Sequence, residues 1–196
     1  MEIEGDEADD IIATLAVQAA DTGRGVLIAS SDKDFMQIVG PRIRLLRPEG
    51  KETIIVDPAG VKTRFGVTPG QMVDLLSLLG DSVDNIPGAP GVGEKTAAQL
   101  LQAYSSLDNL LARVSEIVKP KLREALVAST ERLRANRQLI ALQTDVPLPV
   151  ELGALKVQPP DTSALAVLYK RFGFKSLLAE LTGAPATGES DLFAAK

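Results

Sequence analysis

The chain has 196 residues, 45% of them apolar, no histidine, no cysteine and a formal net charge of −5. That length holds one good core or a little more, and the apolar share is enough to fold it in water. Without histidine or cysteine, Ser-His-Asp triads, thiol nucleophiles and ordinary zinc sites are excluded, so any metal must be held by oxygen, which favours magnesium, manganese or calcium.

In chain order, Glu7-Ala8-Asp9-Asp10 leads into I-I-A-T-L-A-V-Q-A-A, where Ile11, Leu15 and Ala19 recur at helical spacing. Acids crowd the first turn beyond what favourable interaction with the helix dipole requires, and their mutual repulsion calls for a counter-cation. Gly23-Arg24-Gly25 ends this helix, and Val26–Ser30 reads as a buried parallel strand, which is α/β alternation. Asp32 and Asp34 follow directly, at the carboxyl end of that strand, where open α/β sheets place their sites. Ser31 or Asp32 could simply cap a helix over Lys33–Val39, but a cap uses one carboxylate and leaves the second unexplained. Arg42–Arg47 and Glu52–Val56 read as strands around a turn at Pro48–Gly50. Helices are expected over Pro58–Phe65 and Gly70–Leu79, the latter with Met72, Leu75, Leu76 and Leu79 on its core face. Further helices are expected over Thr96–Tyr104, Leu107–Val114 and Pro120–Leu142. The last should turn Leu122, Leu126, Leu133 and Leu139–Ile140 inward and Arg123, Arg132, Arg134 and Arg137 outward. Pro147–Pro160 is extended and proline-rich, Ser163–Phe172 and Lys175–Leu181 are short helices, and 183–196 reads as a tail or linker.

Charge is unevenly spread. Residues 1–40 carry nine acids against two bases, whereas residues 85–140 carry eight bases against five acids. An acidic head and a basic middle suit a metal site beside a phosphate track. The absence of an apolar run of membrane-spanning length, of a charged-then-apolar leader and of cysteine makes a cytoplasmic location the expectation.

Seven carboxylates stand in three clusters at predicted element ends: Glu7, Asp9 and Asp10; Asp32 and Asp34; Asp81 and Asp84. Such a set suits phosphodiester hydrolysis helped by two Mg²⁺ or Mn²⁺ ions about 4 Å apart, which lower the pKa of an attacking water and stabilise the leaving oxygen. Next to the last cluster, Gly80–Thr96 reads G-D-S-V-D-N-I-P-G-A-P-G-V-G-E-K-T. Gly88 and Gly93 have the spacing of a nucleotide-binding phosphate loop, but Glu94 intervenes before Lys95-Thr96 and no hydrophobic strand precedes. Two helices joined by a glycine-rich hairpin is the better reading. Gly91 and Gly93 would admit a phosphate to the backbone, and the N–H groups opening the Glu94 helix would point at it.

The stretches E-A-D-D-I-I-A-T-L-A, S-S-D-K-D-F-M-Q and L-L-G-D-S-V-D-N-I-P-G-A-P-G-V-G-E-K-T-A-A-Q-L-L, in this order, closely resemble the 5′-3′ exonuclease domains of bacterial DNA polymerase I, members of the flap endonuclease family. The resemblance runs from about Gly5 to Leu181 and implies an α/β, PIN-like parallel sheet followed by an all-helical helix–three-turn–helix DNA-binding region. The corresponding division is residues 1–67, 68–182 and a tail from 183. It implies that Glu7, Asp9, Asp10, Asp32, Asp34, Asp81 and Asp84 are metal-site carboxylates, with Asp10, Asp32, Asp34 and Asp84 catalytic. Gly88, Gly91, Val92, Gly93, Glu94, Lys95 and Thr96 match the duplex-binding hairpin, which in the family also holds K⁺ through backbone carbonyls. The implied partner is DNA with a 5′ flap, nick or primer, and the implied setting is replication and repair beside a polymerase domain. Asp6 stands where the family has an aromatic or apolar residue, which adds charge without removing a ligand. Family members also carry upstream residues that supply the first strands, further aspartates and an arch. The expectation is therefore of an N-terminally shortened sheet whose Val26–Ser30 strand exposes apolar surface, and of weak cutting by this polypeptide alone. The missing segment could come from a separate chain. The competing reading is a duplex-binding fragment without catalysis.

Overall fold

A computed structural model of the chain describes residues 3–50 and 52–183. Helix α1 (Ala8–Asp21) forms where the helical periodicity lies, and it buries Ile11, Ala13, Thr14 and Ala16 along one stripe. Gly23, at φ +87°, turns the chain out of it. Strand β1 (Val26–Ala29) then pairs in parallel with β2 (Ile43–Glu49), which pairs antiparallel with β3 (Glu52–Val56). The register places Ile28, Leu45 and Val56 in one row, and all three are buried. On the opposite face Leu27 and Ile55 are about half exposed, at 51% and 57%. The apolar run of β1 is thus buried on one face only, which corrects the fully buried strand read from its composition and agrees with the exposed apolar surface expected of this strand. Among the described residues the second edge of β1 carries no strand.

The segment after β1 is a 3₁₀ turn over Asp34–Ile38, shorter and tighter than the expected helix over 33–39. Its entry is fixed locally: the Asp34 N–H donates to Asp32 Oδ1 at 2.9 Å and the Met36 N–H donates to the Lys33 carbonyl at 3.0 Å. This turn drives Phe35 and Met36 into the core at 1% and 0% exposure. Strand β2 continues through Pro48, past the end of its pairing with β1, where a missing N–H is tolerated along the free edge.

Helix α2 (Pro58–Phe65) is capped by the Asp57 side chain, which accepts from Gly60 N–H at 2.8 Å, and it ends at Gly66 in the left-handed region. A 3₁₀ turn over Pro69–Gln71 carries a Thr68/Gln71 capping box and feeds α3 (Met72–Leu79). Met72, Leu75, Leu76 and Leu78 of α3 are at most 2% exposed. A two-residue pair follows that the sequence reading did not anticipate: β4 (Gly80–Asp81) against β5 (Ile86–Pro87). Helices α4 (Glu94–Tyr104), α5 (Leu107–Ala112) and α6 (Pro120–Ile140) come next.

Contacts gather Met1–Leu152 into one compact unit. Its core is continuous from Ile28, Leu45 and Val56 of the sheet to Leu75, Leu101, Leu126 and Leu133 of the helices. The change from sheet to helices near residue 67 is therefore a change of architecture without a break in packing. Along α6, Leu126, Leu133 and Ile140 are buried as expected, whereas Leu139 is 72% exposed. A helix advances about 100° per residue, so Leu139 and Ile140 cannot share a narrow buried stripe. The second unit begins at Gly153 and contains α7 (Thr162–Phe172) and α8 (Lys175–Thr182). Within it the Phe174 ring lies 6.2 Å from Tyr169 and 6.0 Å from Phe172. Beyond Gly183 the expected tail lies outside the described residues. No described helix is long and apolar enough to cross a membrane.

Candidate functional site

Three chain segments deliver carboxylates to one place. The first turn of α1 carries Asp9 and Asp10, with Glu7 as its N-cap residue. Asp32 and Asp34 follow the carboxyl end of β1, and Asp81 and Asp84 lie on β4 and in the turn to β5. Glu7, Asp9, Asp10, Asp32, Asp34 and Asp84 line a single cleft of about 640 Å³, which residues 138–143, at and just beyond the end of α6, also line. Asp81 lies at its edge, and one oxygen each from Asp34, Asp81 and Asp84 fall within 4.8 Å of one another. The seven sequence-chosen carboxylates are thus brought together.

Their electrostatics follow from that crowding. Burial, then the charge of Asp32 and to a smaller extent those of Asp81 and Asp84, push the Asp34 carboxyl up to about 6, against the lowering effect of the Lys33 ammonium. Asp34 Oδ1 is buried and has no hydrogen-bond partner among the described residues. A buried oxygen left bare costs free energy unless a proton or a cation meets it. Burial and the charges of Asp32, Glu7, Asp10 and Asp84 likewise raise Asp9. Asp81 behaves oppositely. Burial works to raise it, but hydrogen bonds from Lys33 and from the Val83 and Asp84 N–H groups hold its carboxyl below the usual range. Lys33 Nζ donates to Asp81 Oδ2 at 2.5 Å, and the Asp81 side chain is only 8% exposed.

A set of polar residues that sequence reading missed holds these groups in place. Asp10 Oδ1 accepts the Gln143 N–H at 2.8 Å, so one oxygen of this carboxylate is already committed to the wall of the cleft. Thr14 Oγ1 accepts the Val146 N–H at 3.2 Å, and the Gln37 amide bridges the Ile140 carbonyl and the Leu142 N–H at 3.1 and 3.0 Å. Asn136, 3% exposed, donates through Nδ2 to the Ser77 and Pro87 carbonyls at 3.1 and 2.9 Å, tying α6 to α3 and β5 at once. A polar residue on the buried stripe of α6 was the available signal for Asn136. Arginines expected outward are partly used inward: Arg137 pairs with Asp74 and Asp108, and Arg132 donates to the Gly88 carbonyl at 3.2 Å.

The glycines of the hairpin divide into two kinds. A Cβ on Gly80 would meet Gly88 N at 2.3 Å, and one on Gly88 would meet the Leu79 carbonyl oxygen at 2.2 Å. These two permit the backbone contact that closes the carboxylate-bearing β4–β5 turn, so Gly88 serves packing first. Gly91, at φ +76°, and Gly93 have nothing within 4 Å of a built Cβ. They leave the backbone open beside the α4 N-terminus, where Gly93 caps without a side chain and Glu94 and Lys95 are exposed. Val92 points the other way, 8% exposed within the core.

Residues 1–66 match the family model described as "5'-3' exonuclease, N-terminal resolvase-like domain", and residues 67–163 match "5'-3' exonuclease, C-terminal SAM fold". The chain is 47% identical over 178 residues to DNA polymerase I of Rhizobium leguminosarum, covering 90% of this chain and 17% of that protein. It is 42% identical over 180 residues to the thermostable DNA polymerase I of Thermus thermophilus, covering 92% and 21%. It therefore spans about a fifth of the length of these curated relatives. Its fold is similar to that of the bacteriophage T5 D15 flap endonuclease solved as a pseudo-enzyme–product complex with DNA and metal ions, at a TM-score of 0.67 and 20% identity, covering 93% of this chain and 62% of that one.

Proposed function

This chain belongs to the 5′-3′ exonuclease family, and on that premise we propose that its acidic cleft holds Mg²⁺ or Mn²⁺ and hydrolyses phosphodiester bonds at the 5′ ends and flaps of DNA. The observation that carries this reading is the meeting of Asp34 with Asp81 and Asp84, far from it in sequence, together with a buried Asp34 Oδ1 that has no hydrogen-bond partner among the described residues. The donor set fits a hard divalent cation, because it is made of carboxylate oxygens with no nitrogen or sulfur ligand in the chain. Asp34, Asp81 and Asp84 would hold one cation, and Glu7, Asp9, Asp10 and Asp32 across the same cleft would hold a second directly or through water. Such cations, when bound, supply an attacking water of lowered pKa and a counter-charge for the leaving oxygen.

The chain's own residues do the rest. Lys33 and the Val83 and Asp84 N–H groups keep the Asp81 carboxylate ionised. The Gln143 N–H restrains the Asp10 carboxylate through Oδ1, where this residue lines the cleft. Gly91 and Gly93 let a phosphate approach the backbone, the N–H groups opening α4 meet its charge, and Lys95 adds a cation beside them. Backbone carbonyls of this hairpin are the proposed seat of K⁺. The proposed partner is flapped, nicked or primer-bearing duplex, met in the cytoplasm during replication and repair next to a polymerase domain.

The test is incubation of the chain with a labelled 5′-flap duplex and Mn²⁺ or Mg²⁺, beside Asp84→Ala and Asp34→Asn. Metal-dependent shortening of the labelled strand, lost in both variants, supports the reading. Cleavage that persists unchanged in both refutes the placement of the site. DNA retention without any Mn²⁺ binding would favour a duplex-binding module without catalysis.

A further inference from the structure

The side chain of Lys33 is the one basic group hydrogen-bonded to the acidic cluster among the described residues. It starts between Asp32 and Asp34, at the residue that caps the 3₁₀ turn, and crosses to β4, where its ammonium sits 2.5 Å from Asp81 Oδ2. The two residues are 48 positions apart in sequence. Asp81 is one of the three carboxylates whose oxygens converge within 4.8 Å, so the ammonium is lodged on a donor of the cluster itself. Carboxylates whose oxygens lie this close repel one another, and a cation lessens that cost. Lys33 provides one built into the chain. Its side chain remains 35% exposed, and a lysine stem has four rotatable carbons, so the head can swing to water without moving the backbone.

We propose that Lys33 is a tethered counter-cation that occupies the metal-free cluster through Asp81 and is displaced when a divalent cation binds, so that it sets the metal affinity of the cleft. This rests on the reading of the cluster as a divalent-cation site. Two positive groups on one carboxylate oppose each other, so the dication enters as the ammonium leaves. A charge-assisted hydrogen bond is therefore broken on every metal-binding event, and the site is weaker but selective for a cation able to displace it. Lys33 is a positioning residue, acting on the cation only through Asp81.

The experiment uses the full chain and Mn²⁺, with free Mn²⁺ read by electron paramagnetic resonance in the absence of DNA. Lys33→Met should bind Mn²⁺ about ten- to a hundredfold more tightly than the wild type, the range set by the usual strength of a hydrogen bond between charged groups. It should also melt at a lower temperature in EDTA and show a larger rise in melting temperature on adding Mn²⁺. Lys33→Arg keeps the charge and should stay near the wild-type affinity. A residue that only stabilised the fold would lower the melting temperature equally with and without Mn²⁺ and leave the affinity unchanged, and that result overturns the proposal. Acylation of Lys33 in the wild-type chain, read by peptide mass spectrometry, does not depend on any variant folding. Its rate should rise on Mn²⁺ binding, and an unchanged rate with Mn²⁺ bound overturns the proposal too. If the wild type binds no Mn²⁺ at all, the metal-site reading fails and this inference with it. If the wild type binds and Lys33→Met binds no tighter, only the inference fails.

Discussion

Replacing Asn136 by alanine tests how the cleft is held. The side chain is 3% exposed and its single amide nitrogen serves two carbonyls, Ser77 at 3.1 Å and Pro87 at 2.9 Å. Alanine leaves both carbonyl oxygens without this donor and opens a small void. An unsatisfied buried acceptor costs about 1–3 kcal/mol, so two cost about 2–5 kcal/mol once partial relaxation is allowed. That is a large part of the 5–15 kcal/mol that typically separates folded from unfolded domains. Urea unfolding followed by far-UV circular dichroism should show the midpoint falling with little change in slope. Because Pro87 ends the pair that positions Asp81 and Asp84, Mn²⁺ affinity should fall as well, even in a variant folded at low temperature. A loss below about 1 kcal/mol, with unaltered Mn²⁺ affinity, would refute the claim that this amide ties α6 to the carboxylate turn.

Gly88→Ala should be among the most destabilising single changes in the chain, because its Cβ would meet the Leu79 backbone oxygen at 2.2 Å and neither partner can rotate away; Gly93→Ala, which meets nothing within 4 Å, should cost only the poorer N-cap of α4, about 1 kcal/mol or less. The raised Asp34 carboxyl sets a pH dependence with a definite sign. Its folded value of about 6 exceeds the ordinary 3.8, so without metal its contribution to stability is fully present below about pH 4 and lost as pH rises to about 6. Asp34→Asn should flatten that part of the stability curve, and wild-type Mn²⁺ affinity should drop as pH falls through about 6, where the proton competes for the same oxygen. Arg137→Met should cost about 1–3 kcal/mol in urea unfolding, because it strands Asp74, whose side chain is 8% exposed, and the exposure of Arg137 itself keeps the loss moderate. Arg134→Ala breaks only the exposed pair with Glu131 and should change stability by less than about 0.5 kcal/mol.

Much of this arrangement was legible in the residues. The helical spacing of Ile11, Leu15 and Ala19, the proline that opens Pro58–Phe65 and the glycine stop at Gly23–Gly25 are local signals, and the elements they mark lie within a residue or two of their expected bounds. The three acid clusters were readable because each stands at an element end, where a carboxylate beyond capping needs another explanation. What stayed hidden depends on contacts made across the fold. The reach of Lys33 to Asp81 joins residues 48 apart, and the Asn136 bridge and the Gln37 clamp span still longer separations. No local pattern encodes them. The two-residue β4–β5 pair is too short for alternation to register, and its reality depends on Gly80 and Gly88 tolerating a backbone approach that composition alone does not reveal. Leu139 was misplaced because two adjacent apolar residues on a helix cannot be ranked without knowing which neighbour the helix packs against.

The most direct measurement is a crystal of the chain soaked in Mn²⁺ and recorded near the manganese absorption edge. An anomalous peak bounded by oxygens of Asp34, Asp81 and Asp84, with the Lys33 ammonium moved off Asp81, is the expected result. Anomalous density confined to other surfaces, with Asp34 Oδ1 still bare and Lys33 still on Asp81 in saturating Mn²⁺, would contradict the account.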